Sequence, residues 1–271
     1  MEILYHNIGR DASCFVIECG KRRVKGMEKL HLLCNAHLDP AWLWRWNEGL
    51  AEAISTFRVA ADFCEQYDDF VFNHNEALLY EWVEEHDSAL FERIKKLVKE
   101  KKWIIMGGWY LQPDCVMTSG ESLMEQINLG NEYFIDRFGI KPEIAINFDP
   151  FGHSRGLVQI LKNAGYKGYI FMRPYDVKGD FTWVGFDGSE ITGHGTVDSY
   201  STLKGEATKK INKNIELQDK KKIGLCLWGV GNHGGGPSRK DLEEINQLIK
   251  DADLKIVHST AEIYFEDIQK D

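Results

Sequence analysis

Residues 30–46, LHLLCNAHLDPAWLWRW, constrain the chain more than any other stretch. The apolar run over 30–34 is short, follows a basic segment and is closed by Pro40, a punctuation that predicts a buried strand rather than a helix. Side chains two apart on a strand point the same way, so His37 and Asp39 leave its C-terminal end aimed into one place, with Leu38 turned away. Pro40 stops the ladder, and Trp42, Trp44 and Trp46 follow at alternate positions. A histidine and a carboxylate fixed together beside flat apolar rings offer a seat for a metal and a sugar.

The rest of the chain repeats strand, loop, helix. Helical spacing covers 48–66 and 77–100, the second with a break near His86, Asp87 and Ser88, and a further helix runs from an N-cap at Ser119 to about 138. Strands are predicted over 70–72, 103–106, 143–148, 168–172, 223–230 and 255–257, and a hairpin over 181–194 turns at Asp187 and Gly188. Shorter helices are expected at 155–164, at 204–219 and from Ser238. The order implies an α/β fold with a mainly parallel sheet, whose ligand site forms at the C-terminal strand ends. His37, Asp39, Asp149, Arg173, His194 and His233 all stand at such ends. Zinc accepts histidine nitrogen and carboxylate oxygen, and a catalytic ion needs about three protein ligands. His37, Asp39 and Asp149 are such a set.

Composition narrows the classes of function. A formal net charge of −9 argues against a nucleic-acid partner, which needs a concentrated basic surface. No apolar run approaches a membrane span, and no secretory signal opens the chain, so a cytoplasmic location is expected. Six cysteines lie far apart without a CxxC pair and read as reduced thiols. Residues 1–26 read as an added arm or strand ahead of an α/β domain over 27–271. Association into a homo-oligomer is compatible with all of this.

Five blocks in order, HLDPAW (37–42), GGWYLQPD (107–114) with SGESL after it, NFDPFGHS (147–154), FTWVGFDGSEITGH (181–194) and GVGNHGGGP (229–237), resemble glycoside hydrolase family 38, the α-mannosidases. The resemblance implies a (β/α)7-barrel-like catalytic domain with helices outside. It implies hydrolysis of terminal α-mannosides with retention of configuration and a divalent metal, usually zinc. His37, Asp39 and Asp149 match the metal ligands, and Asp149 matches the nucleophile. Trp42 and Phe151 would supply the apolar sugar face. Arg173, His194 and Tyr200 would complete substrate binding.

Two departures stand out. The family's fourth metal ligand is a histidine in a segment after the α/β domain, so this chain is expected to be a piece of a longer enzyme. Where relatives place an aspartate as acid/base, this sequence reads Asn232-His233. His233 suits proton transfer with an unperturbed pKa of ~6.5, or would ligate the metal in place of the missing histidine, and Asp198 is a further candidate for the acid. Bland readings suffice for His153 as a helix cap, for Gly234 to Gly236 as a close backbone approach or a flexible loop, for His74, His86 and His258 as structural or surface groups, and for Lys99 to Lys102 as a solvated helix end, while Trp44 and Trp46 suit the core and a sugar platform equally. A metal-dependent carbohydrate deacetylase and a non-catalytic sugar-binding module are the alternatives to the mannosidase.

Overall fold

A computed structural model describes residues 26–174, 176–231 and 235–270. The expectations for the N-terminal arm, Gly26 aside, and for Asn232 and His233 lie outside the described residues. From β1 (Lys29–Asn35) the chain passes through α1 (Trp46–Gln66) to β2 (Phe72–His74), then to α2 (Ala77–His86) and α3 (Ser88–Lys99). The break between these two helices has a cause: the Asp87 side chain accepts from Leu90 N at 3.0 Å and starts a new helix. After β3 (Trp103–Ile105) comes α4 (Gly120–Phe138), whose N-cap Ser119 accepts from Ser122 N at 3.1 Å as the sequence predicts. β4 (Ile144–Asn147), α5 (Leu157–Asn163) and β5 (Gly168–Phe171) follow, then the antiparallel hairpin of β6 (Gly179–Val184) and β7 (Glu190–Gly195). α6 (Ala207–Leu217), β8 (Ile223–Trp228) and the short pair β9 (Val230–Gly231) and β10 (Gly235–Gly236) lead to α7 (Arg239–Asp251), β11 (Lys255–His258) and α8 (Ala261–Ile268).

Parallel pairing dominates. β1 lies between β8 on one edge and, on the other, β11 along its first half and β2 at its end, with β3 beyond β2. A second sheet runs β4, β5, β7, β6, parallel except for the hairpin. The two sheets meet where Gly107 N, just past β3, donates to Ile144 O of β4 at 3.1 Å.

The alternation along β1 divides the core. Leu30, Leu32 and Cys34 pack with α1, α2, α3 and α7, whereas Leu33 joins Ile146, Ile170, Leu225 and Leu227 in an inner cluster. α8 lays Tyr264 and Phe265 into that inner cluster. Full burial of each such side chain is worth about 1.5–3 kcal/mol against exposure, which fixes the strand register. His37 and Asp39 share the odd numbering of Leu33, so the inner layer continues upward into polar groups at the strand end. Gly229 permits the crossing of β8 beside it: at φ +144° a Cβ would lie 1.9 Å from Asn35 O.

Candidate functional site

A cavity of about 630 Å³ opens above these strand ends. β1 delivers His37 and Asp39 to it, the segment after β4 delivers Asp149 and Phe151, β5 delivers Arg173, and Tyr200 enters after β7. His37 is buried and its Nε2 stands 3.3 Å from Asp39 Oδ1. That nitrogen has no aligned hydrogen-bond partner among the described residues. The ring stacks at a tilt on Tyr200, centroids 4.8 Å apart, and Tyr200 in turn stacks on Phe148. Arg173 Nη2 reaches Asp149 Oδ1 at 2.8 Å, and its guanidinium lies 4.9 Å over the Phe151 ring. Trp42 and Phe151 remain largely exposed at the mouth, with 58% and 78% of their surface free.

Two residues that the sequence does not single out complete the floor. Glu76 follows β2 at φ +69°, an uncommon conformation for a residue with a side chain, and is fully buried in the cavity wall. Gln112 N donates to Glu76 Oε1 at 3.1 Å, and Gln112 Nε2 sits 3.3 Å from His37 Nδ1. The only signals for them are the polar run closing β2 and the GGWYLQPD block. Gly108 in that block explains how the loop gets there: at φ +78° a Cβ would lie 2.5 Å from Tyr166 Oη.

Carboxylates set the electrostatics. Burial draws the His37 pKa down, but Asp39 beside it and the charges of Glu76 and Asp149 outweigh burial, so the pKa stands above the ordinary value. Burial pushes the Glu76 carboxyl up to about 7. The cavity thus presents four carboxyl groups, of Asp39, Glu76, Asp114 and Asp149, against His37 and Arg173, a surplus that favours a cation.

The sequence-predicted residues divide cleanly. His37, Asp39, Asp149, Trp42, Phe151, Arg173 and Tyr200 line one cavity. His194 does not: it is wholly buried on β7, with Nδ1 2.6 Å from Asp180 Oδ1 and 3.0 Å from Tyr264 Oη. It faces the layer that α8 covers rather than the mouth. Asp198 also stands apart, paired with Lys213 at 2.8 Å. His153 ties the 149–154 loop to the end of β5, with Nε2 donating to Arg173 O at 2.6 Å.

Among the described residues no three His, Cys, Asp or Glu side chains stand close enough to hold a metal ion. The donor chemistry nevertheless fits a divalent cation. A buried imidazole nitrogen without an aligned partner faces a carboxylate, and a second carboxylate opens on the same cavity. No described helix is long and apolar enough to cross a membrane.

The family model for the N-terminal domain of glycosyl hydrolases family 38 matches residues 27–271. Alpha-mannosidase G of Dictyostelium discoideum is 28% identical over 249 residues, covering 87% of this chain and 22% of that protein. Alpha-mannosidase 2C1 of Mus musculus is 27% identical over 244 residues, covering 84% and 23%. The chain therefore spans less than a quarter of the length of these relatives. Among solved structures, an alpha-mannosidase from Enterococcus faecalis V583 superposes with a TM-score of 0.77 at 20% identity, covering 90% of this chain and 29% of that one. A 4-alpha-glucanotransferase from Thermococcus litoralis gives 0.62 at 16%, covering 89% and 40%. At such identities these likenesses show the fold alone.

Proposed function

The chain belongs to glycosyl hydrolase family 38, and from that premise we propose that it is the catalytic α/β domain of a retaining, metal-dependent α-mannosidase. The observation that carries the reading is the arrival of His37, Asp39 and Asp149 in one cavity walled by Trp42, Phe151 and Tyr200. Asp149 is the nucleophile: its carboxylate attacks the anomeric carbon while a second acid protonates the departing oxygen. Water then hydrolyses the glycosyl ester, and the second group takes back a proton as base. Arg173, 2.8 Å away, orients the Asp149 carboxylate for this attack. Trp42 and Phe151 offer flat faces to the sugar ring, and the Tyr200 hydroxyl offers a hydrogen bond to its edge. His233 is the acid/base in this reading, because Asp198 is engaged by Lys213 outside the cavity.

His37, Asp39 and Asp149 would hold zinc, which when bound supplies a Lewis-acid grip on neighbouring sugar hydroxyls. The substrate is a terminal α-mannoside, and the protein acts in the cytoplasm. The test is turnover of an aryl α-mannoside with zinc supplied, combined with the anomeric configuration of the first-formed product and trapping by a fluorinated mannosyl donor. α-Mannose as first product and a covalent sugar on the peptide bearing Asp149 are expected. Inverted product, or a label on another carboxylate, would overturn the assignment.

A further inference from the structure

Gln112 touches the ends of three strands other than its own. Its main-chain N donates to Glu76 Oε1 after β2 at 3.1 Å, its side-chain oxygen accepts from Phe148 N after β4 at 2.8 Å, and its Nε2 lies 3.3 Å from His37 Nδ1 after β1. The loop carrying it follows β3, so one residue joins four strand ends that lie side by side across the junction of the two sheets. Phe148 precedes Asp149, so one amide group bridges His37 and the residue next to Asp149.

The Phe148 contact also fixes which way the amide points. A backbone N–H only donates, so the atom 2.8 Å from Phe148 N is the oxygen, and the NH2 group is left facing His37. An NH2 group only donates, so Nδ1 of the neutral His37 ring is the acceptor and the ring proton resides on Nε2, the nitrogen beside Asp39. Turning the amide over would set two donors against each other at Phe148. A metal ligand bound through Nε2 needs the opposite tautomer, with its other nitrogen protonated and donating to an acceptor.

We propose that Gln112 is a positioning residue that locks His37 to the strand end bearing Asp149 and holds its ring in the Nε2-protonated tautomer. In the metal-free protein this keeps a proton where an ion would bind, so Gln112 restrains the metal affinity of the site. A carboxylate at this position would accept from Phe148 N and from a protonated Nδ1 together, and so reverse the tautomer. The proposal rests on the reading of His37 as a ligand only for its consequence, not for the tautomer itself.

The test uses the 271-residue chain labelled with 15N in histidine and stripped of metal, at a pH where His37 is neutral. The His37 signals are identified by their loss in His37→Gln. In the wild type, Nδ1 is expected at the shift of an unprotonated ring nitrogen and Nε2 at that of a protonated one. In Gln112→Glu the two exchange, and in Gln112→Ala both move to averaged values. A protonated Nδ1 in the wild type, or signals indifferent to both substitutions, would overturn the proposal, and a merely space-filling role would produce that indifference. Chelator competition then reads the consequence: Gln112→Glu is expected to bind zinc at least about tenfold more tightly than the wild type. Exchange of the tautomers with no zinc binding in any variant sinks the metal reading and leaves the positioning role standing. Zinc binding with unchanged tautomers does the reverse.

Discussion

Among the described residues three buried histidines stand beside an aspartate, His31 by Asp267, His37 by Asp39 and His194 by Asp180, and the contrast between the last two identifies the site. On β7, His194 contacts Asp180 at 2.6 Å, Tyr264 closes the pair from α8, and Lys221 reaches Asp180 at 2.5 Å. Burial pushes the Asp180 carboxyl up, but His194, Lys221 and Tyr264 outweigh it and hold it well below the usual range. Burial dominates at His194 and lowers its pKa. One carboxylate meets one ammonium, so the charges balance, although His194 Nε2 is left without a hydrogen-bond partner among the described residues.

At the end of β1, His37 meets Asp39 at the looser distance of 3.3 Å, and Glu76 and Asp149 add carboxyl groups without a matching number of cations. That cluster opens on a cavity with exposed aromatic rings. Proximity of a histidine to a carboxylate is therefore a poor guide to function. An unbalanced charge facing open space is a better one.

The largest effect expected to sharpen this contrast is Asp149→Asn. Turnover should fall at least about a thousandfold, as for loss of a covalent nucleophile, while the unfolding midpoint stays near that of the wild type. Turnover near wild type would remove Asp149 from the proposed role. Asp180→Asn should do the opposite. Breaking one side of a buried pair costs roughly 3 kcal/mol in denaturant titrations, with turnover per folded molecule unchanged. The sign follows from linkage. A carboxyl held low in the folded state stabilises above its unfolded pKa, and that contribution is lost as pH falls through the folded value. The gap between wild type and Asp180→Asn should therefore persist at neutral pH and narrow in acid.

Glu76 carries the opposite sign. Its folded carboxyl stands at about 7 against an ordinary 4.5, so the folded state binds the extra proton and loses stability as pH rises between those values. Glu76→Gln keeps the acceptor for Gln112 N and removes the ionisation. The metal-free variant should gain about 3 kcal/mol over the wild type above about pH 7 and nothing below about pH 4. Equal pH profiles in chemical denaturation would contradict the buried placement. Trp42→Ala should have the smallest effect: a few-fold rise in KM, with stability altered by less than about 0.5 kcal/mol because the ring is already exposed.

These contrasts show where the sequence is legible. Apolar runs, N-cap serines and the helix break at Asp87 are local signals, and the strands other than β2, Ser119, Ser238 and the α2–α3 junction appear close to where those signals place them. β2 begins two residues later than its apolar run predicts, which carries His74 into the core among Phe57, Phe72 and Tyr80. α8 goes unpredicted, although Thr260 accepts from Ile263 N at 3.2 Å in the same manner as the recognised caps.

That omission accounts for the misplacement of His194. A strand-end position says which end of the sheet a residue occupies, but the layer covering it is set by Tyr264, far along the chain. Glu76 and Gln112 escape notice for a related reason. Their importance lies in hydrogen bonds between separate strand ends, and no periodicity within one segment encodes those.

The central claim is that charge imbalance, rather than mere adjacency of histidine and aspartate, prepares a metal seat at the end of β1. Crystals of the zinc-loaded protein measured on either side of the zinc absorption edge test it directly. The account predicts one anomalous peak bounded by His37, Asp39 and Asp149. A peak at His194 and Asp180 instead, or none at the end of β1 under saturating zinc, would contradict it.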